Sequence, residues 1–509
     1  MKTLHYRCIA FTVLLCFELC ANVVLGQSKI EKLPLEVNDP LQSEVLPVIS
    51  IDGRTLYFTR PRMGLDGAIV IDIWRSHHGK DDVFYPAEIL SGHLRSRYGI
   101  AVTSVTPDNN TLYLVGKLRA DTPPEDRVMV SHRTKDGWSI PKPIRIQSLN
   151  AQGAITDYGF GPDQRTLIMS VQRDSSIGGR DLYVSFLDEA TDTWAPPLWL
   201  GPEINSTGDE ITPYLAANGK TLYFSSDRPG NIGEVDVWRA ERLDDSWKRW
   251  SKPEHLGANI NRSGRTTYYT EDAKGEFAYF VWRKDKNDQT DIYRTAAPPR
   301  ITQVTLIRGT VTDENNTPLD ADIRYERLSD GKTLGLAHSD PTSGEYQITL
   351  PAGESYAIFA THSGYLPTSE RFDGKDVKAF SIIEKQLVLV KIKENAVVRL
   401  NNIFFETDQA TLLPSSFAEL NRLASILTQD TSVRVSIEGH TDSTGSTIHN
   451  KSLSLARAKS VVAYLIGKSI NPIRLASEGL GSERAIAPNE TEEGKAKNRR
   501  VEFRILTTK

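Results

Sequence analysis

The stretch TPYLAANGKTLYFSSDRPGNIGEVDVW, Thr212–Trp238, carries the pattern that decides the fold of the N-terminal half of this chain. Two runs rich in aromatic and β-branched residues, TLYFSS and VDVW, flank a segment rich in Asp, Pro, Gly and Asn. The flanking runs are typical of strands, and the residues between them are typical of tight turns. The stretch therefore predicts neighbouring antiparallel strands.

This pattern recurs at a regular distance along the chain. The copies DGRTLYF, DNNTLYL, DQRTLIM, NGKTLYF and a weaker KGEFAYF begin at Asp52, Asp108, Asp163, Asn218 and Lys274. Aligned on positions 57, 113, 168, 223 and 279, they are 56, 55, 55 and 56 residues apart. Two further motifs keep this spacing, a D-x-aromatic triplet and a tryptophan: Asp72, Asp181, Asp236, Asp291 and Trp138, Trp194, Trp250. Five such units predict a five-bladed all-β propeller over residues 35–297.

The repeats resemble the WD-type propeller repeats of TolB-like and outer-membrane-associated bacterial proteins, most closely over Thr212–Trp238. The resemblance implies a fold more than a function, because propellers serve both as binding platforms and as enzymes. A propeller hydrolase would need acidic residues that converge at one mouth of the ring. The recurring aspartates have a simpler interpretation, in which they cap turns and bind no ligand.

Composition and the N-terminus limit the class of protein. The chain has 61 basic and 65 acidic residues, which argues against nucleic acid or an anionic membrane surface as a partner. Lys2 and Arg7 precede an apolar run that ends at Gly26, so we expect a secretory signal peptide over residues 1–26. All three cysteines lie inside it, and a mature chain from Gln27 would form no disulfide. The residues before the cysteines do not favour a lipoprotein signal.

A proline-bearing joint, AAPPR at 296–300, precedes a change of pattern. Residues 301–393 alternate polar and apolar side chains in short runs between Gly and Pro turns, which predicts a small all-β sandwich. The motifs GTVTDENNTPLDADI, SGEYQITLPAGESY and HSGYLP resemble the carboxypeptidase regulatory-like family, which has a transthyretin-type sandwich. The resemblance implies a non-catalytic scaffold.

The C-terminal residues, 396–509, mix strand and helix patterns. The runs VVRLNNIFF, VRVSIEG, LASE and RRVEFRIL predict strands, and PSSFAELNRLASILTQD carries the apolar stripe of a helix. A second helix, in SLARAKSVVAYLIGK, has an apolar face formed by Leu455, Ala458, Val462, Leu465 and Ile466. The order predicts an α/β sandwich of βαβαβ type with its helices on one face.

One acid and one base stand out in this segment. Asp442 follows the strand VRVSIEGH, and Arg457 lies on the second helix, turned away from its apolar stripe. A carboxylate and a planar guanidinium across one shallow cleft match the ammonium and carboxylate of an amino acid group. The pair therefore indicates binding of a zwitterion, not catalysis. Two alternatives stay open: an ordinary surface ion pair, and a metal or proton-relay pair of His440 with Asp442.

The motifs NIFFETDQATLLPSS, VSIEGHTDSTGSTIHNKSLSLARAKSVVAYL and ASEGLGSERAIAPNETEEGKAKNRRVEF resemble the OmpA-like C-terminal peptidoglycan-binding family. In that family an Asp and an Arg hold the diaminopimelate side chain of the peptidoglycan stem peptide, which implies this role for Asp442 and Arg457. The resemblance places four further residues in the pocket: Thr441, Asn450, Ser454 and Asn498. It implies no catalytic residue, no metal and no cofactor.

The order of the three segments resembles envelope proteins of the Bacteroidetes, including a type IX secretion subunit that also carries helical repeats. This chain lacks those repeats. We therefore expect a non-catalytic periplasmic protein, associated with peptidoglycan and the outer membrane, whose propeller binds a protein partner. Membership of a secretion machine and an envelope hydrolase remain the alternatives. Glu406-Thr407 departs from the usual acid-aromatic pair of the OmpA-like pattern, so one rim of the pocket should differ.

Overall fold

The computed structural model describes residues 29–508 except 64–66, 68, 120, 124–126 and 301. The predicted signal peptide, 1–26, lies outside the described residues. Within them the chain is mostly strand, and the three α-helices all lie beyond residue 400. Short 3-10 turns occur at Gly92–Leu94, Gly257–Asn259, Pro414–Ser416 and Pro472–Arg474. No helix in this described part combines the length and apolar character needed to cross a membrane.

Five antiparallel sheets account for the first three hundred residues, and each contains one copy of the sequence repeat. A short first strand, β1 (Glu31–Lys32), belongs to the fifth sheet. The first sheet comprises β2 (Val45–Ile49), β3 (Thr55–Met63), β4 (Ile69–His77) and β5 (Glu88–Ile89). The second comprises β6 (Ile100–Val105), β7 (Thr111–Gly116), β8 (Val128–Thr134), β9 (Gly137–Trp138) and β10 (Lys142–Pro143).

The remaining three sheets follow the same plan. The third comprises β11 (Gln152–Phe160), β12 (Thr166–Gln172), β13 (Asp181–Asp188), β14 (Thr193–Trp194) and β15 (Leu198–Trp199). The fourth comprises β16 (Glu210–Leu215), β17 (Thr221–Ser226), β18 (Asp236–Glu241) and β19 (Glu254–His255). The fifth comprises β20 (Arg265–Glu271), β21 (Phe277–Arg283), β22 (Asp291–Ala296) and β1.

The innermost strands of the five sheets contact one another in sequence. β2 contacts β6, β6 contacts β11, β11 contacts β16, β16 contacts β20, and β20 contacts β2. Side-chain oxygens also link neighbouring innermost strands: Ser104 accepts the backbone N–H of Phe160 at 2.9 Å, and Thr212 accepts that of Tyr268 at 3.3 Å. The five sheets therefore form a closed ring.

The N-terminal segment closes this ring. Glu31 pairs with Arg294 across β1 and β22, so the first strand completes the last sheet. Asn38, in the motif LEVN, donates to the carbonyl oxygen of Ile292 and accepts its N–H, both at 2.9 Å. Asn205 and Asn261, from PEIN and ANIN, make the same double contact in the third and fourth sheets. The segment is thus one more copy of a repeated element.

The aspartates of the repeat cap the turns between the first two strands of their sheets. Asp52 accepts the backbone N–H of Arg54, and Asp163 accepts that of Arg165. These contacts confirm the interpretation of the aspartates as turn caps. Asp108 also accepts the N–H of His338, from the next domain, at 2.8 Å. The same turns therefore form the surface on which the second domain packs.

One five-stranded sheet and one four-stranded sheet form the second domain around a shared apolar core. The first sheet contains β23 (Val304–Asp313), β26 (Glu345–Pro351), β28 (Tyr365–Leu366), β30 (Ser381–Glu384) and β31 (Leu387–Lys391). The second contains β24 (Asp322–Arg327), β25 (Thr333–His338), β27 (Ser355–Thr361) and β29 (Thr368–Asp373).

The joint before this domain is anchored to the ring. Arg300 donates from Nε to Glu271, a fully buried carboxylate, at 2.7 Å, and also contacts the backbone carbonyls of Asp272 and Ala273. Desolvation by burial raises the pKa of Glu271, and Arg300 opposes that change. The prolines of the joint are therefore followed by an arginine that is fixed to the ring.

The C-terminal domain has one four-stranded sheet with its main helices on one face. Its elements are β32 (Val397–Leu400), α1 (Phe417–Gln429), β33 (Val433–His440), α2 (Thr447–Gly467), β34 (Leu475–Gly481), α3 (Glu492–Asn498) and β35 (Val501–Thr508). The strand order is β32-β35-β33-β34, and only β33 and β34 run parallel. The mixed strands and helices fit the predicted α/β class, with α3 as an additional short helix.

The buried face of α2 differs from the predicted one. Ala458 and Leu465 are buried as expected and the partly buried Val462 packs on the domain core, but Val461 is buried as well and Ile466 is 40% exposed. Toward the start of the helix, the buried face continues through the polar residues Asn450 and Ser454, which a pattern of apolar residues does not include. The prediction was therefore wrong at Ile466. It also left out Val461 and the polar positions Asn450 and Ser454, whose side chains are buried with hydrogen-bond partners.

Candidate ligand-binding site

Asp442 lies just beyond the end of β33, and its side chain is only 10% exposed. Oδ1 accepts the backbone N–H of Thr444 at 2.8 Å, and Oδ2 accepts from Nη1 of Arg499 at 2.6 Å. Burial alone raises the pKa of Asp442, but these hydrogen bonds hold it below its ordinary value. Asp442 is therefore an anion at neutral pH, and its ion-pair partner is Arg499.

Arg457 lies half-buried on α2, beside the loop between β32 and α1. Its Nε donates to the carbonyl oxygen of Gln409 at 2.9 Å, and its guanidinium carbon lies 5.0 Å from the centre of the Phe405 ring. Burial and the charge of Arg499 lower the pKa of Arg457, and acidic neighbours that include Asp442 oppose this change. Asp442 and Arg457 thus share one electrostatic environment, and no ion pair joins them in the described part of the chain.

Two other predicted pocket residues brace the loop that carries Asp442. Asn450 donates from Nδ2 to the carbonyl oxygens of Asp442 at 3.3 Å and Thr444 at 2.9 Å. The hydroxyl of Ser454 accepts the N–H of Gly481 at 3.0 Å. Both side chains are buried, at 4% and 0% exposure. Asn450 therefore holds the loop of Asp442 directly, whereas Ser454 acts through Gly481, whose carbonyl accepts the N–H of Thr441.

Asn498 organises the neighbouring loop in the same way. Its Oδ1 accepts the N–H groups of Ile486 and Ala487, and its Nδ2 donates to the carbonyl of Ala487 and to Oδ1 of Asn489. Asn489 in turn accepts the N–H of Ser443 at 3.1 Å. The amide of Asn498 is completely used within the protein, so its contribution to the pocket is structural.

Thr441 precedes Asp442 and offers a free hydroxyl. Its backbone N–H donates to the carbonyl of Gly481 at 2.9 Å, while its Oγ1 is buried without a hydrogen-bond partner among the described residues. Buried polar atoms normally have partners, so an orphaned hydroxyl beside a charged site indicates a place where a ligand atom could bond.

Sequence reasoning missed several residues around the pair. Arg499 stands next to Asn498 in the quoted motif AKNRRVEF, but no local pattern places it against Asp442, which is 57 residues away. Gln409 and Phe405 contact Arg457 through a backbone carbonyl and a ring face, and neither contact leaves a charge pattern in the sequence.

The alternative with His440 has a structural counterpart that does not include Asp442. Ligand atoms of Glu438, His440 and Glu502 lie within 4.8 Å of one another. Arg504 binds both oxygens of Glu438, and Arg500 binds Oε1 of Glu502 at 2.6 Å. A dication would have to compete with these guanidiniums, so the cluster is better described as a buried charge network than as a metal site.

A model of the OmpA family matches residues 404–499, which contain every part of this site. The C-terminal segment is therefore an OmpA family domain.

Relatives with curated names match the same region. Peptidoglycan-binding protein ArfA of Mycobacterium tuberculosis is 47% identical over 101 residues, 20% of this chain and 31% of that protein. Outer membrane protein A of Bordetella avium is 42% identical over 103 residues, 20% of this chain and 53% of that protein. The chain spans about a third to a half of the length of these relatives. The solved peptidoglycan-associated lipoprotein from Burkholderia pseudomallei is 25% identical, covering 20% of this chain and 87% of that one, with a TM-score of 0.20.

The site contains one fixed anion, two guanidiniums and an orphaned hydroxyl. The arrangement offers charge-assisted hydrogen bonds to a ligand that carries both charges.

Proposed function

We propose that the protein binds peptidoglycan through the diaminopimelate side chain of the stem peptide, held by Asp442 and Arg457. The observation that carries the proposal is the shared environment of the two side chains within the OmpA family domain. The name of the mycobacterial relative, a peptidoglycan-binding protein, supports the ligand class.

The charged groups of the ligand match the hydrogen-bonding groups that the site leaves available. The terminal amino acid group of diaminopimelate carries an ammonium and a carboxylate. A carboxylate has about four lone-pair positions, and the contacts of Asp442 with Thr444 and Arg499 leave room for the ammonium. Arg457 uses Nε on the protein, so its two terminal nitrogens are available for the ligand carboxylate. Thr441 would supply a further hydrogen bond.

We further infer that the closed ring of five sheets is a five-bladed propeller that serves as a protein-interaction platform, with the second domain as scaffold. A wall-binding module attached to such a platform fits a periplasmic protein associated with peptidoglycan and the outer membrane. An accessory role in a secretion machine is compatible with the same arrangement.

The proposal is tested by sedimentation of the full chain with purified sacculi whose stem peptides contain diaminopimelate. Arg457→Ala loses a charge-assisted contact of about 1.5–3 kcal/mol, so binding should weaken about ten- to a hundredfold. Asp442→Asn should weaken it similarly while preserving the shape of a buried side chain. Arg434→Ala, an exposed arginine of β33, is the matched control and should bind like the unaltered chain.

Sacculi with lysine in place of diaminopimelate separate this ligand from the wall in general. Lysine lacks the terminal carboxylate, so binding should fall for the unaltered chain and change little for Arg457→Ala. Equal binding of both variants and the unaltered chain to diaminopimelate sacculi would refute the proposed clamp.

A further inference from the structure

The loop between β32 and α1 is a closed structural unit beside Arg457. Its base is tied by the backbone bond from Leu413 N–H to the Phe404 carbonyl at 2.9 Å, and its middle by Glu406 N–H to Thr411 at 3.1 Å. Asp408 occupies its tip with a positive φ of 55°, a conformation that is uncommon for residues other than glycine. The loop therefore has a defined shape that projects the Asp408 side chain.

Helix α2 holds this loop at two points. Near its middle, Arg457 donates to the Gln409 carbonyl and packs on the ring of Phe405. Near its start, Nε2 of His449 lies 2.9 Å from Oδ1 of Asp408. The two contacts are eight residues apart on the helix, about 12 Å at 1.5 Å per residue. On the loop, both contacts meet at the tip, on the adjacent residues Asp408 and Gln409, so the tip is held from two separate positions of the helix.

The helix end that carries His449 is itself fixed. Ser446 caps α2, and its hydroxyl accepts the backbone N–H of His449 at 3.2 Å. Such a cap stabilises a helix start by about 1 kcal/mol. The imidazole is therefore presented from an ordered first turn, while Asp408 is presented from an ordered loop tip.

We propose that His449 is a positioning residue of the ligand site, which acts through Asp408 and the loop to orient the guanidinium of Arg457. The inference rests on the proposed function. His449 contacts the loop tip, and the loop supplies both groups that fix Arg457: the Gln409 carbonyl in the guanidinium plane and the Phe405 ring on its face. Because His449 holds the loop tip, the terminal nitrogens of Arg457 keep a fixed orientation.

The energetic role differs from that of an ordinary ion pair. The side chains of His449 and Asp408 are 53% and 67% exposed, and such pairs add little to folding stability. Their value lies in preorganisation, since a guanidinium that is already oriented loses less freedom when it binds a carboxylate. The effect should therefore appear in binding and be nearly absent from thermal unfolding.

The test uses the full chain and a soluble muramyl tripeptide that contains diaminopimelate, titrated by calorimetry. His449→Ala should weaken binding about three- to tenfold without a change in melting temperature. His449→Gln places an amide nitrogen near the position of Nε2 and should restore most of the affinity. Lys459→Ala, an exposed residue further along α2, is the matched control and should bind normally.

A double variant separates positioning from direct contact. Because His449 acts through Arg457, adding His449→Ala to Arg457→Ala should cause no further loss. An additional loss in the double variant, or an affinity of His449→Ala within twofold of the unaltered chain, would overturn the inference. If the unaltered chain itself does not bind the tripeptide, the proposed function fails first, and the two failures remain distinguishable.

Discussion

Asp442 is bonded within the fold and is also the anion that we propose meets the ligand. Its partner Arg499 keeps it charged in a mostly buried position, where an isolated carboxylate would tend to take up a proton. Because each oxygen accepts one described bond, the anion is preorganised without being saturated. A ligand ammonium can join the existing pair, so binding does not require Arg499 to leave.

Glu502 gives the domain a predicted acid sensitivity. Burial alone raises its pKa, but His440 and Arg500 together lower it to about 2. A carboxyl whose folded-state pKa is depressed stabilises the fold above its ordinary pKa near 4.5, and that stability is lost as the pH falls toward 2. The contribution is up to about 3 kcal/mol before solvent screening reduces it.

We therefore expect the unfolding free energy of the full chain to exceed that of Glu502→Gln above pH 5, with the gap closing between about pH 4.5 and pH 2. Urea titrations across this range measure it, with the exposed Glu490→Gln as the control. A gap that stays constant down to pH 2 would show that the charge of Glu502 is not the source of the stabilisation.

At the scale of elements, three asparagines, Asn38, Asn205 and Asn261, bond the backbone of a neighbouring strand in the same way. Asn38 bonds the backbone of Ile292 in both directions, and its loss would leave a buried N–H and a buried carbonyl without partners. Such a loss costs about 2–3 kcal/mol. Asn38→Ala should lower stability by that amount in urea unfolding, whereas the exposed Asn315→Ala should not.

The position of Asn38 in the ring adds a second expected result. Asn261→Ala removes the same bonds inside the chain, where covalent connections hold both flanking sheets. Asn38→Ala instead loosens the closure, so backbone amides of β1 and β22 should exchange hydrogen faster than those of β18 in the corresponding variant. Equal local exchange in both variants would mean that the N-terminal segment does not close the ring as the contacts indicate.

The strands and helices also show how much of the fold could be predicted from the sequence. The presence of the strands could be predicted from the repeat, because turn residues and apolar runs are local features of the sequence. The contact of Asn38, in LEVN, with the last sheet joins residues that are 254 positions apart, and no local sequence pattern predicts it. The buried face of α2 was misassigned because its polar residues Asn450 and Ser454 are buried by hydrogen bonding, which hydropathy does not register. Asp442 and Arg457 stood out in the sequence as an acid and a base and took their proposed role from family resemblance, while the contact of Arg499 with Asp442 required the fold.

At the scale of the whole molecule, the three parts are joined by specific contacts. The repeat turns of the ring bond the second domain, as between Asp108 and His338, and Arg300 anchors the joint to buried Glu271. The second domain and the OmpA family domain share a core that includes Leu366. The ring, the second domain and the OmpA family domain are therefore joined to one another by direct contacts.

The shared core changes the behaviour expected of the isolated OmpA family domain. A fragment that begins at residue 393 keeps all predicted ligand residues but loses Leu366 and the partly buried Val390 and Ile392 that pack on the domain core. It also loses Glu326 as the partner of Arg422, a contact of 2.6 Å. At about 1.5–3 kcal/mol for each fully buried aliphatic side chain, the fragment should be about 2–4 kcal/mol less stable than one that begins at residue 302.

Ligand affinity should be the same in both fragments, because the loop, α2 and α3 that form the site all lie beyond residue 400. Urea unfolding and titration with the muramyl tripeptide on the same preparations measure the two quantities separately. Equal stability would mean that Leu366 and its neighbours contribute nothing to the OmpA family domain. A weaker affinity of the shorter fragment at a urea-free condition where it is fully folded would mean that the second domain takes part in the site, and the division between scaffold and binding module would have to be redrawn.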